Sequence, residues 1–281
     1  MERQCNSDEV ECALALDLAP IMLQRRNLLR LIAGSGLIAL VGCSSEDSAS
    51  SSTDSTPADA AADAAADVSA GTSCEVTPPE TGGPFPGDGT NGPNLLTEGG
   101  VVRQDIRTSI GSASGTAAGI TLTVNLTLVD SDAGCVPLPG AAVHVWHATA
   151  DGRYSMYSKG ITDENYLRGV QESSDNGMLS FTTIHPGCYQ GRWPHIHFEV
   201  YADLASATNG GNAIATSQLA FPRETCEVVY GAAGYETSRS NLERVSLESD
   251  NVFGDDGAVH QMATMSGDNA SGWVADLTVT V

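Results

Sequence analysis

The stretch GITLTVNLTLVD, residues 119–130, alternates without a break. Ile120, Leu122, Val124, Leu126 and Leu128 fall on one face of an extended strand, the threonines and Asn125 on the other. A helix would scatter that apolar set around its circumference, so the pattern predicts a strand with one buried face. GWVADLTVTV at 272–281 repeats it with Trp273, Ala275, Leu277, Val279 and Val281. AAVHVWHA, MLSFTTI, HIHFEVYAD and AIATSQLAF supply further short strands between Gly, Pro, Asp and Asn clusters. No long segment has a convincing helical period. The expectation is an all-β domain, a β-sandwich, over residues 74–281.

The front of the chain reads differently. Residues 1–24 are polar and acidic, the wrong charge for the front of an export signal; Met22 is the expected start and residues 1–21 an expected mis-called extension. QRRNLLRLIAGSGLIALVGC then carries Arg25 and Arg26 ahead of an apolar run too short for a comfortable membrane span. It reads as a twin-arginine signal ending in a lipoprotein box, with Cys43 as the acylated residue. Residues 1–43 are thus the expected signal, and a plain N-terminal anchor is the alternative. Residues 44–73 collapse to Ser, Ala, Asp and Thr with no aromatic residue, the composition of a disordered tether. The expected location is extracytoplasmic, in the periplasm or on the outer membrane or cell surface of a bacterium. A formal charge of −22 argues against a nucleic-acid partner and leaves the lipid as the expected membrane contact. Asp250 and Asp255–Asp256 read as a solvated acidic face.

Chemistry concentrates in HPGCYQGRWPHIHFEV, residues 185–200. His195 and His197 share one face of a strand and can chelate one ion. Tyr189 precedes them beyond a Pro186–Gly187 turn, and a phenolate beside two imidazoles suits ferric iron better than softer metals. His185 leaves a three-histidine zinc or copper site open. Upstream, LPGAAVHVWHATADGRYSMYS runs from a strand into a glycine turn that ends at Tyr154.

Together TPPETGGPFP (77–86), VVRQDIR (101–107), PLPGAAVHVWHATADGRYS and FTTIHPGCYQGRWPHIHFEV resemble the intradiol ring-cleavage dioxygenases, the family of catechol 1,2- and protocatechuate 3,4-dioxygenases. A weaker likeness continues through QLAFP and DNVF. The closest likeness is to the short, secreted branch of the family. The resemblance implies a sandwich of mixed sheets and a non-haem ferric ion held by Tyr154, Tyr189, His195 and His197, with solvent hydroxide as fifth ligand. It makes Tyr189 the ligand displaced by substrate and places Arg192 against the bound diol; a surface ion pair is the alternative for Arg192, but an arginine so near the proposed centre is more often electrostatic machinery. The implied reaction joins a small aromatic diol with O2 to give a cis,cis-muconate-type diacid. The loop from Tyr189 to His195 is shorter than in the protocatechuate enzymes, and a tether stands where catechol dioxygenases carry a dimerising helical segment. Substrate and oligomer therefore stay open. Tyr157, Tyr166, His144, His147 and His260 are assigned to structure. A non-enzymatic binding lipoprotein and the three-histidine metalloenzyme remain as other readings.

With Cys43 lipidated, Cys74, Cys135, Cys188 and Cys226 form an even set in an exported domain. The favoured pairing is Cys74–Cys135 with Cys188–Cys226; four free thiols are the alternative.

Overall fold

The computed structural model describes residues 74–281. The expected signal, Cys43 and the tether lie outside the described residues. The alternating stretch forms β1 (Thr121–Asp130), with Leu122, Val124, Leu126 and Leu128 buried and its threonines half-exposed or exposed. One edge of β1 pairs antiparallel with β5 (Met178–Ile184) and the short β2 (Val136–Pro137). Its other edge pairs in parallel with β9 (Gly272–Thr280), which pairs antiparallel with β8 (Thr264–Asp268). The sheet is therefore mixed. The second sheet is antiparallel throughout, in the order β4 (Arg168–Glu172), β3 (Ala142–Trp146), β6 (His195–Tyr201), β7 (Ala215–Ala220).

Between the sheets, Leu122, Val124, Phe181, Ala275 and Val279 belong to one buried cluster with Val143, Val145, Ile196, Phe198 and Val200. Each such Leu or Phe contributes about 1.5–3 kcal/mol by leaving water. Every residue of β3 and of β6 is buried, so the far face of this sheet is covered too. Leu95, Leu96 and Val101 of the N-terminal segment pack there on Ala142, Val170 and Tyr201. That covered face carries His144, Trp146, His195, His197 and Gln218.

Among the described residues, three α-helices interrupt the strands: α1 (Leu204–Thr208), α2 (Arg223–Val229) and α3 (Glu236–Leu242). Each is two turns or less, too short to show a period in sequence. Asp203 caps α1 by accepting from the Ser206 N–H at 2.6 Å.

Cys74 and Cys135 form a disulfide, as expected. The second expected bridge is not formed: Cys188 and Cys226 are buried free thiols. Burial pushes the Cys188 thiol up to about 12, and its S–H donates to the Arg192 carbonyl at 3.3 Å. The Tyr189 turn is instead pinned by hydrogen bonds. Cys188 N–H donates to Ser238 Oγ at 2.9 Å, Ser238 Oγ donates to the Ala150 carbonyl at 2.7 Å, and Asn241 Nδ2 donates to the Cys188 carbonyl at 2.9 Å.

Candidate metal centre

Two turns bring the phenols to the sheet. The first, Thr149 to Arg153, closes through Thr149 N–H to the Arg153 carbonyl at 2.7 Å and turns on Gly152 with φ +87°. It delivers Tyr154, 3% exposed, against Phe85 with ring centroids 5.2 Å apart. The second, Pro186 to Cys188, delivers Tyr189. The two turns interlock through glycines. A Cβ on Gly152 would meet Tyr189 Cβ at 3.2 Å, and one on Gly187 would meet Ala150 O and Ser238 Oγ, both at 2.7 Å, and the Thr149 carbonyl closer still. The sequence needs glycine at both positions for the phenols to meet.

His195 and His197 face the same spot, with Nε2 atoms 3.1 Å apart and Tyr189 Oη 3.3 Å from His195 Nε2. His195 Nδ1 lies 2.5 Å from the Trp193 carbonyl. Only a protonated Nδ1 can make that contact, so Nε2 keeps its lone pair for a cation. Trp146 stacks on His197 at 4.9 Å and 4°, fixing the ring plane. Burial, with Arg192 adding for His195 and the neighbouring His195 for His197, holds both imidazoles well below the usual histidine range and hence neutral. Burial first, then the neighbouring Tyr189 phenol, pushes Tyr154 well above the usual tyrosine range. Tyr154 Oη is buried without a hydrogen bond of good geometry. A buried phenol, two neutral nitrogens and a second phenol at one point are a donor set short of a positive charge. They fit a hard cation with mixed N and O ligation.

Arg192 is brought to this point, but not as a surface residue. It is 1% exposed; Nη1 donates to Tyr189 Oη at 3.3 Å, Nη2 to Gln218 Oε1 at 2.6 Å and Nε to Asp250 Oδ2 at 3.0 Å. The expectation for Asp250 was wrong. It is 2% exposed and an ion-pair partner, while Asp255 and Asp256 remain on the accessible side. Asp250, Gln218, Trp146 and Trp193 escaped sequence reasoning. DNVF offered one local signal, an acid positioned to accept from the next two or three N–H groups, but nothing in it points to Arg192.

The three-histidine site is overturned. His185 is tilted against Phe221 at 4.6 Å with Nδ1 on the Pro186 carbonyl at 3.1 Å. Among the described residues, no three histidine nitrogens gather. His147 is structural, bonded to the Ala148 carbonyl at 2.8 Å and Thr183 Oγ1 at 2.7 Å. His144 stacks on Trp146, His260 pairs with Glu75, and Tyr157 accepts from Gly87 N–H. Tyr166 is buried in the core cluster, and its carbonyl accepts from Ser155 Oγ at 2.7 Å. The acids Glu80, Asp255 and Asp256 lie within 4.8 Å of one another, and burial first, then Asp255 and Asp256, raises Glu80 to about 8 against a hydrogen bond from Gln261.

His147 and His185 set an acid limit. Burial lowers them to about 4 and about 3. Above pH 6.5 both folded and unfolded forms are neutral and their full contribution is present. As pH falls from 6.5 through 4 the unfolded chain takes up protons that the folded chain refuses. Stability then falls by several kcal/mol, about 1.4 kcal/mol for each tenfold difference in proton affinity between the two forms. Metal-free protein should lose melting temperature steadily between pH 6.5 and 4; a flat profile would contradict this.

A family model described as "Dioxygenase" matches residues 91–208. The chlorocatechol 1,2-dioxygenase of Rhodococcus opacus is 33% identical over 91 residues, 26% of this chain and 35% of that protein. The hydroxyquinol 1,2-dioxygenase of Rhizobium sp. (strain MTP-10005) is 31% identical over 94 residues, 27% of this chain and 31% of that protein. The match thus spans about a third of either relative. A solved intradiol ring-cleavage dioxygenase from Tetranychus urticae superposes with a TM-score of 0.56 at 25% identity, covering 74% of this chain and 94% of that one. Over these residues the chain is similar to intradiol ring-cleavage dioxygenases in sequence and in fold.

Proposed function

We propose that the chain is a non-haem ferric intradiol dioxygenase, taking a catechol-type diol and O2 to a cis,cis-muconate-type diacid. The observation that supports this most is the meeting of Tyr154, Tyr189, His195 and His197 at one buried point beside Arg192. A ferric ion bound by these four side chains would supply Lewis acidity and a two-point template for the diol oxygens.

The side chains divide the remaining work. Tyr154 is clamped by Phe85 and stays in place. Tyr189 rides on a turn and is half-buried, so it is the phenol that gives way. Held as a phenolate while it ligates the ion, its Oη would be able to take up one proton from the diol on being displaced. Arg192 Nη1, now on that oxygen, then faces the negative charge that develops on the ring oxygens. Trp146 and the Trp193 carbonyl hold the imidazoles against rotation.

The test is an oxygen-uptake assay on the iron-loaded protein with catechol. One O2 per diol and a ring-opened diacid are expected; tight diol binding with no uptake would favour a non-enzymatic binder. On sequence grounds alone, residues 74–281 form the catalytic unit, exported by a twin-arginine signal and anchored through Cys43 in a bacterial envelope. Export that persists without the twin-arginine translocase would contradict that route.

A further inference from the structure

The Arg192 charge has a partner before any substrate arrives. Asp250 Oδ2 accepts from Arg192 Nε at 3.0 Å and from Trp193 N–H at 2.5 Å, and Oδ1 accepts from Val252 and Phe253 N–H at 2.8 and 2.9 Å. That four-bond lock leaves the carboxylate no freedom to turn. It also fixes the loop whose Phe253 ring lies 6.3 Å from His195. With Nε on Asp250 and Nη2 on Gln218, the guanidinium is aimed so that Nη1 meets Tyr189 Oη.

The second cation near the phenols is equally committed. Arg168 is fully buried and donates to the carbonyls of Phe85, Pro86 and Ser155 and to Ser155 Oγ. A carboxylate carried into this site on a diol ring would lose its water and find both guanidiniums already engaged, which is strongly unfavourable. A hydrogen, alkyl or halogen substituent meets no such penalty.

Building on the function proposed above, we infer that Asp250 is a positioning residue that sets specificity: by aiming and neutralising Arg192 it restricts the site to catechols without an anionic ring substituent. Asp250→Asn keeps the shape and an acceptor for the loop N–H groups but leaves Arg192 with an uncompensated charge beside the ring.

The test compares 4-methylcatechol with protocatechuate on the full, iron-loaded chain. It reads kcat/KM under air and, without turnover, binding by anaerobic calorimetry. The wild type should prefer 4-methylcatechol at least about 30-fold, and Asp250→Asn should narrow that ratio about tenfold in both readouts. Asp250→Glu, which keeps the charge, should hold the ratio near wild type. A purely structural role would weaken both diols alike and leave the ratio unchanged, which overturns the inference. Wild-type protein that binds protocatechuate as well as 4-methylcatechol overturns it too, even if the Asn variant fails to fold. A retained binding preference without any turnover supports the inference and strikes only at the proposed reaction.

Discussion

Tyr154→Phe should separate stability from activity: the metal-free protein melts within about 1 kcal/mol of wild type, while ring cleavage falls by about 10³-fold or more. The change removes one oxygen atom. In the metal-free fold that oxygen is buried and makes no well-formed hydrogen bond, so little is lost with it. The ring keeps its contacts with Phe85 at 5.2 Å and Tyr189 at 5.7 Å. If Tyr154 were an ordinary core tyrosine, the oxygen would have a partner and its loss would register in stability alone. Thermal melts and oxygen uptake on the same preparations check both halves. A variant that melts early yet turns over normally contradicts the assignment.

Gly187→Ala should be strongly damaging, and the damage should reach the candidate metal centre. The added carbon would overlap the Thr149 and Ala150 carbonyls and Ser238 Oγ, all held in hydrogen bonds that cannot yield locally. Overpacking of this kind costs about 3 kcal/mol. The two turns would also be forced apart, carrying Tyr189 from Tyr154, and misplacement by about 1 Å costs on the order of 10²-fold in rate. Gly99→Ala is the control, since its added carbon meets nothing within 4 Å. That variant should stay within about 0.5 kcal/mol of wild type. Equal behaviour of the two variants in denaturant melts would contradict the interlocked-turn description.

What the sequence disclosed follows from how local each signal is. The face of β1 and the shared face of His195 and His197 are period-two facts, complete within a few residues, and both hold in the fold. Tyr189 was a candidate from its place just before His195 and His197; Tyr154 became legible through likeness to a known family, because nothing in residues 149–154 alone says that the turn folds onto residues 186–189. Asp250 was misread for the same reason. It lies 58 positions from Arg192, in an acidic stretch that looks like solvent-facing surface until the pair is seen. Cys188 and Cys226 were misread because an even count in an exported chain suggests pairing, whereas Cys188 already has a carbonyl partner. Gln218 carries no local signal within its strand. Its register opposite His197 places it on the covered face.

The most direct test of the central claim is a visible absorption spectrum of the iron-loaded protein, before and after addition of catechol under air. Tyr154 and Tyr189 as ligands to ferric iron predict a red protein whose band shifts on adding catechol, followed by growth of muconate absorbance. A folded, iron-loaded protein that stays colourless would contradict the four-residue centre and the function built on it.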